Sequence, residues 1–319
     1  MVNYILKRVL ISILVVFLVS LFVFSIMHLL PGDPARLALG YEASEEDVQR
    51  LREQYNMDAP LAEQYILWIG GIFQGDFGES LSYHRPVLDL LKERIPRTIA
   101  LGLPAMVVAI FSGIGFGILS AIKRGKIGDQ IITFFATLGA GTPQYWLGIL
   151  CIIVFATDAL GLKILPMQGF VAPSEDFAGY LQKAILPVFC MAVGMIASLT
   201  RQTRSNMLEV VNQDYIRTAR ANGLPERSVI FRHALKNALI PVVTIIGMQV
   251  RVVIGGALLV ERVFNIVGVG SMMTSGISNR DYWVVQSCVL IIAMFTVAAN
   301  LIVDILYGFI DPRIREARR

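Results

Sequence analysis

Charged side chains inside long apolar stretches are the first candidates for a functional role in this sequence. The six longest apolar stretches of this 319-residue sequence contain two of them, Arg251 and Asp304. A charge at the centre of a bilayer is costly unless it faces a polar cavity or a partner. Arg251 could therefore attract a carboxylate of a substrate, or it could form a structural pair with Glu261 or with an acid of another chain. Asp304 lies near the end of its stretch, where a packing or partner contact is favoured over proton relay.

No arrangement typical of an enzyme or of a metal site occurs in the sequence. The cysteines lie in apolar runs and the histidines are scattered, without metal-ligand spacing: Cys151, Cys190, Cys288, His28, His84 and His233. The single Gly-Lys pair, Gly125-Lys126, lacks the upstream Gly and the following Ser or Thr of a phosphate-binding loop. No nucleophile beside a base and no carboxylate pair is evident in the apolar stretches. We therefore expect no catalytic residue, no metal and no cofactor on this chain.

Composition indicates a protein that crosses a membrane several times. Hydrophobic residues make up 55% of the chain and charged residues 16%, against about 25% charged residues in a typical soluble domain. A membrane-spanning helix needs about 20 apolar residues. The sequence therefore predicts an all-α polytopic protein with six transmembrane helices, at 9–30, 98–122, 131–157, 184–200, 237–260 and 283–310. The fourth is short and is predicted to continue as helix into the polar loop that follows.

The distribution of Lys and Arg predicts the orientation of these helices. One set of connecting segments carries 16 basic against 6 acidic residues: 1–8, 123–130, 201–236 and 311–319. The other set carries 11 basic against 17 acidic residues: 31–97, 158–183 and 261–282. The first set is predicted to be cytoplasmic, which places both termini inside and makes 31–97 an extracytoplasmic cap. That cap is either a tether between spans or a platform for an external delivery protein.

The third predicted span contains the run Gly139-Ala140-Gly141-Thr142-Pro143, in which Pro143 removes a helix hydrogen bond and kinks the chain. Irregular backbone inside a bilayer is tolerated where it is buried in protein or lines a cavity. The hypothesis is that a conduit runs close to this kink, and the alternative is a kink that serves packing alone. The candidate pathway residues are Thr142, Gln144, Tyr145, Gln249 and Arg251.

The polar segment 201–236 is longer than a minimal connection requires. It predicts a short helix from Tyr215 to Ala221, a stop at Asn222-Gly223 and a restart at Pro225. A helix of about two turns is not stable alone, so a partner surface is expected. Arg217 and Arg220 share a face of that helix and could pair with the carboxylates of a partner. The alternative is a basic loop that rests on anionic lipid headgroups.

The segment Tyr215–Leu224 resembles the cytoplasmic coupling motif of binding-protein-dependent ABC importer permeases. The general family pattern is E-A-A-x-x-x-G followed further on by I-x-L-P. Ala219 and Gly223 match that pattern, whereas Arg217 and Thr218 stand where the family has Glu and the first Ala. Such departures are typical of the dipeptide, oligopeptide and nickel branch of the family.

Further motifs extend the resemblance over nearly the whole chain. Downstream of the coupling motif Leu235 matches the pattern, while His233 and Lys236 replace Ile and Pro. The order and spacing of the remaining motifs support the same branch: Leu30-Pro31-Gly32-Asp33-Pro34, Gly75-Asp76-Phe77-Gly78, Glu93-Arg94-Ile95-Pro96-Arg97-Thr98, Arg280-Asp281-Tyr282 and Asp311-Pro312-Arg313-Ile314-Arg315.

The resemblance implies a MetI-like permease fold with an extra N-terminal helix, here Val9–Leu30, in a bacterial inner membrane. It implies three kinds of partner: a paralogous second permease, two cytoplasmic ATPase subunits that bind ATP and Mg, and an extracytoplasmic solute-binding protein. It also implies that coupling to the ATPase subunits runs through Tyr215, Arg217, Thr218, Ala219, Arg220, Gly223 and Leu224. The chain itself is expected not to be an enzyme and not to bind nucleic acid.

The solute stays open among dipeptides, oligopeptides, glutathione-like compounds and nickel chelates, all of which this branch handles. An ion-coupled secondary transporter is the alternative from another class. It would need a self-sufficient set of intramembrane ionisable groups, whereas this sequence has two, far apart, and no obvious internal repeat.

Overall fold

The computed structural model describes residues 2–29, 32–40, 42–158 and 162–310. The side chains of 2–4, 251, 252, 254, 256, 304 and 306–310 also lie outside the description. The predictions made for the side chains of Arg251 and Asp304, and the motif 311–315, therefore concern parts of the chain that are not described.

The described residues are mostly helical. The first part of the chain forms α1 (Val2–Leu29), α2 (Pro34–Leu39), α3 (Glu45–Gln54), α4 (Leu61–Phe73) and a two-residue hairpin, β1 (Glu79–Ser80) with β2 (Arg85–Pro86). The middle part forms α5 (Val87–Ile122), α6 (Ile127–Gly141), α7 (Gln144–Phe155), α8 (Phe177–Val211) and α9 (Asp214–Ala221). The last part forms α10 (Glu226–Ser228), a π-helical stretch (Val229–Ala234), α11 (Leu235–Val263), α12 (Val269–Asn279) and α13 (Tyr282–Ile310).

Five helical stretches of the described chain are long and apolar enough to cross a membrane: Ile5–Leu29, Val87–Ile122, Phe177–Val211, Glu226–Val250 and Tyr282–Val303. The helix predicted for 184–200 continues to Val211, as expected from its short apolar run. The stretch that begins at Glu226 passes through the π-helical turn into α11, so one continuous helical path joins the polar loop to the predicted fifth span.

The predicted third span, 131–157, is two helices rather than one. Helices α6 and α7 are bent by 108° at their junction. Thr142 and Pro143 both have extended backbone, with ψ of 121° and 132°. Proline disfavours helical geometry in the residue before it and donates no hydrogen bond of its own, so the chain turns here instead of kinking within one helix. A sixth crossing exists only if this bent pair is counted as one broken span.

The chain divides into two compact units. One contains Ile99–Asn265 and residues 299–310, and the other contains Val2–Thr98 with Ile266–Ala298. In the first unit α8 contacts α6, α7 and α11. Glycines let α5 approach α8 closely: a Cβ on Gly113 would lie 2.6 Å from the Cβ of Leu199, and one on Gly117 would lie 2.8 Å from the carbonyl oxygen of Thr200. Such close approach through small residues is typical of helices that associate inside a membrane.

The second unit is organised around a buried carboxylate and an aromatic cluster. Asp281 is fully buried, accepts hydrogen bonds from the Ser80 hydroxyl (2.6 Å) and the Ser82 N–H (2.9 Å), and thereby ties the hairpin to the start of α13. Phe24 of α1 and Trp68 of α4 belong to one apolar cluster with residues of α13. The segment predicted as a cap is thus packed against two of the long helices, and Ser44 caps α3 as its sequence suggests.

The glycine contacts of α5 predict different changes in stability for two neighbouring Gly→Ala substitutions. Gly117→Ala should lower the unfolding free energy by about 1–3 kcal/mol, because the carbonyl that the new methyl meets belongs to the backbone and cannot rotate away. The matched control is Gly115→Ala on the same helix, where an added Cβ meets nothing within 4 Å and the change should be neutral or slightly stabilising. Thermal unfolding of the purified, detergent-solubilised variants measures both. Equal melting temperatures would contradict close packing of α5 on α8.

Candidate functional site

The loop that follows α8 is held against its own chain through the apolar side of α9. Ile216 is fully buried and Ala219 nearly so. Both belong to one cluster with residues of α8, of the π-helical stretch and of α11: Met207, Val229, Ile230, Ala234 and Ala238. Ala219, one of the predicted coupling residues, therefore faces inward and packs against its own chain. The partner surface that a two-turn helix requires is supplied by the same chain.

The remaining predicted coupling residues form the outward side of this loop. Tyr215, Arg217, Thr218, Gly223 and Leu224 are all exposed. The Tyr215 hydroxyl accepts a hydrogen bond from the Asn237 side chain at 2.8 Å. This bond holds the ring beside the first turn of α11. The loop therefore has an apolar side buried in its own chain and an exposed side.

Arg220 joins the two ends of the loop. Its guanidinium donates to both carboxylate oxygens of Glu226, at 3.1 and 2.8 Å. A bidentate pair of this kind fixes geometry better than a single contact does, although both side chains are partly exposed and the pair contributes at most about 1 kcal/mol. The sequence allowed Arg220 to pair with a partner's carboxylates; in the structure its guanidinium pairs with Glu226 of the same chain. Arg217 contacts Asp214 at 3.4 Å with both side chains largely exposed, so it remains open to a partner.

Gly223 is required by the turn and not by crowding. Its φ is +77°, in the left-handed region that glycine adopts without strain, whereas a Cβ there would meet no atom within 4 Å. The Gly223 N–H donates to the Arg220 carbonyl at 2.9 Å, which closes the end of α9. A bulky side chain at this position would project away from the chain and into whatever binds the loop.

The predicted pathway residues divide into two groups. Thr142, Gln144 and Tyr145 lie at the bend between α6 and α7, where the Thr142 hydroxyl donates to the Leu138 carbonyl at 2.7 Å. Tyr145 is exposed and the other two are half-buried. Gln249 is a buried residue of α11. Helix α7 contacts α11, so the two groups lie on neighbouring helices.

Asp129 is the feature of this unit that sequence reasoning missed. It is buried at the start of α6 and accepts two hydrogen bonds from Arg204, both at 2.8 Å, and one from the Gly125 N–H at 3.0 Å. The Ser120 hydroxyl at the end of α5 also donates to it. One carboxylate thus joins α5, the connection after it, α6 and α8. In the sequence it is only an acid among basic residues, and the nearest signal was Arg204, four residues past the predicted fourth span.

A second missed feature is a cavity of about 910 Å³ in the unit that contains the predicted cap. Its lining includes Trp68, Asp58, Asp76, Tyr55 and Glu79. The Tyr55 hydroxyl donates to Glu79 at 3.0 Å. Burial and this carboxylate raise the pKa of Tyr55 to about 12, so the phenol stays protonated at neutral pH.

Two family models cover most of the chain between them. Residues 113–316 match the binding-protein-dependent transport system inner membrane component, and residues 1–102 match the N-terminal part of the membrane component of such systems. The chain belongs to this family. It is accordingly a multi-pass protein of the cytoplasmic membrane with the MetI-like fold and an N-terminal extension, and it is a transport subunit. The resemblance inferred from the coupling motif is confirmed.

Similar proteins extend over almost the full length of the chain. A probable peptide ABC transporter permease protein, y4tP of Sinorhizobium fredii, is 38% identical over 98% of this chain and 99% of its own. The oligopeptide transport system permease protein AppB of Bacillus subtilis is 39% identical over 98% and 99%. The glutathione transport system permease protein GsiC of Escherichia coli is 39% identical over 99% of both chains.

The Asp129 network predicts a large loss of stability when its charge is removed. Asp129→Asn should lower the unfolding free energy by about 3 kcal/mol, because it leaves the Arg204 guanidinium without its counter-charge in partly buried surroundings. Asp214→Asn is the control, since its pair with Arg217 is exposed and should change stability by less than about 1 kcal/mol. Thermal unfolding compares the two variants. The network is not structural if both melt alike.

Proposed function

We propose that this chain is the permease subunit through which di- or oligopeptides enter the cell, and that ATPase subunits drive it through the exposed side of residues 214–224. The observation that carries the proposal is the two-sided loop: one apolar side is buried in the chain's own core, and the other side is exposed. The predicted cytoplasmic position of 201–236 places this exposed side where an ATPase subunit could bind it.

The contacts of α9 suit a part that transmits displacement. Ile216 and Ala219 connect it to the end of α8 and to the beginning of α11. The Arg220–Glu226 pair connects it to the helical path that continues into the predicted fifth span. Movement of α9 by a bound subunit would therefore be carried to both long helices, because the loop has little freedom to yield by itself.

The proposed cycle assigns ATP and Mg to the partner subunits. ATP binding closes the two ATPase subunits, the docked loops of this chain and of a paralogous second permease move with them, and the spans change from inward-open to outward-open. The solute then enters from an extracytoplasmic solute-binding protein, and hydrolysis resets the cycle. The roles of Thr142, Gln144, Tyr145, Gln249 and Arg251 on the conduit are part of this proposal.

The named relatives support a peptide-like solute. One transports oligopeptides, one is a probable peptide permease and one transports glutathione, itself a modified tripeptide in chemistry. A glutathione-like compound or a nickel chelate remains the second candidate on the ground of the branch resemblance. The identity of the ligand carried by the co-purifying solute-binding protein decides between them.

The coupling proposal predicts that bulk at Gly223 separates transport from ATP hydrolysis. Gly223→Trp should lower peptide uptake at least 10-fold and abolish stimulation of ATPase activity by the solute-loaded binding protein, because the indole projects into the contact. Gly223→Ala is the matched control: it carries the same backbone strain, about 1 kcal/mol, with little bulk, and should retain most of the uptake. Uptake and ATPase activity of both variants are measured in vesicles that contain the complete transporter. The amount of each variant in the membrane fraction checks its insertion. Normal uptake by the Trp variant would refute docking at this loop.

A further inference from the structure

Helix α4, Leu61–Phe73, is more apolar than a water-exposed cap requires. Glu63 is its single charged residue. It is also the one apolar helix of 10–17 residues outside the candidate spans of the described chain. At 13 residues it is about 20 Å long, too short to cross a bilayer but long enough to lie in its surface.

One side of α4 packs beside the membrane-spanning part of α1. The Tyr65 hydroxyl is 2.8 Å from the Ser20 hydroxyl, and the Tyr65 and Phe24 rings are 5.3 Å apart. Trp68 stacks on Phe24 with 6.1 Å between ring centroids. At about 1.5 Å per residue, Ser20 lies roughly 13 Å inside the end of α1 at Leu29. The first two turns of α4 therefore lie at the level of the membrane-spanning part of α1 and not beyond its end.

The start of α4 and the turn that follows its end both contact the ends of long helices. Near its start, the Gln64 side-chain oxygen is 3.0 Å from Nε2 of His28, the last residue but one of α1. Just after its end, Gly78 lies against the Trp283 ring at the beginning of α13. The start of α4 is thus fixed against the end of α1, and the turn that follows α4 is fixed against the beginning of α13.

The other side of α4 is an exposed apolar stripe. Ile66 is 69% and Phe73 is 87% exposed, and seven residues, close to two turns, separate them on one face. Ala62 is exposed on the same face. Phe22 of α1 is 65% exposed and belongs to a segment long and apolar enough to span the membrane, so its exposed side faces lipid. Tyr65 and Trp68 of α4 are ring types enriched at membrane interfaces.

We propose that α4 lies parallel to the membrane plane, at the extracytoplasmic interface of the cytoplasmic membrane. The stripe of Ala62, Ile66 and Phe73 then contacts lipid acyl chains. The packing of its opposite side against α1 sets its depth in the bilayer. Glu63 then sits at the water boundary, as amphipathic interfacial helices place their charges. The segment 31–97 is accordingly not all cap, since its central helix is embedded.

Spin labels at single introduced cysteines test the depth of this stripe in the complete transporter, reconstituted in lipid vesicles. The native Cys151, Cys190 and Cys288 are buried, so background labelling is low. Labels at Ile66→Cys and Phe73→Cys should collide with oxygen at least about 3-fold more than with a water-soluble nickel complex, as at the lipid-facing control Phe22→Cys. The aqueous control Glu46→Cys, on the polar helix α3, should show the reverse.

The proposal is overturned if both stripe positions behave like Glu46→Cys, or if they are shielded from oxygen and nickel alike, as a partner subunit covering the stripe would cause. A measurement on the unmodified protein guards against labels that disturb folding. A photoreactive lipid with its diazirine in the acyl chain should modify the peptide that contains 61–73, detected by mass spectrometry. The proposal fails as well if this peptide stays unmodified while peptides of α1 react.

Discussion

Burial of Ile216 and Ala219 against the ends of α8 and α11 is the constraint on which the proposed mechanism depends. An eight-residue helix gains too little from its own hydrogen bonds to persist in water. Once its apolar side is buried in the same chain, the helix has a fixed position before any partner arrives. A partner can then push on the exposed side, and the displacement passes to the long helices instead of being absorbed by a flexible loop.

Contacts in the rest of the first unit join α8 to α5 and α6. Gly113 and Gly117 hold α5 close to α8, and Asp129 joins α5, α6 and α8 through one buried carboxylate. Buried carboxylates in such surroundings persist only when they are fully paired, and here Arg204 supplies the charge. The 108° turn before α7 lies at the opposite end of α6 from this network. Because α5, α6 and α8 are linked in this way, a displacement of α8 would move the three helices together.

Sequence reasoning succeeded where one physical signal dominates and failed where contacts between distant residues decide. Apolar length located the long helices, and Gly223 correctly marked a left-handed turn, because both depend on local chemistry alone. The sequence did not indicate that Ala219 faces inward, because a small side chain is compatible with a buried and with an exposed position. Asp129 was missed because its value lies in a pairing 75 residues away, with Arg204. The turn at Pro143 was underestimated, since proline also redirects the residue before it.

The most direct test of the central claim is a crosslink between the exposed side of the loop and an ATPase subunit. Cysteine placed at Arg217 or Leu224 in the complete transporter, treated with a short bifunctional maleimide, should join this chain to an ATPase subunit. Cysteine at the buried Ile216 should not react. Crosslinking at the two exposed positions, changed in yield by ATP, is the predicted result. The account is contradicted if cysteines at both exposed positions react with the maleimide but neither becomes crosslinked to an ATPase subunit.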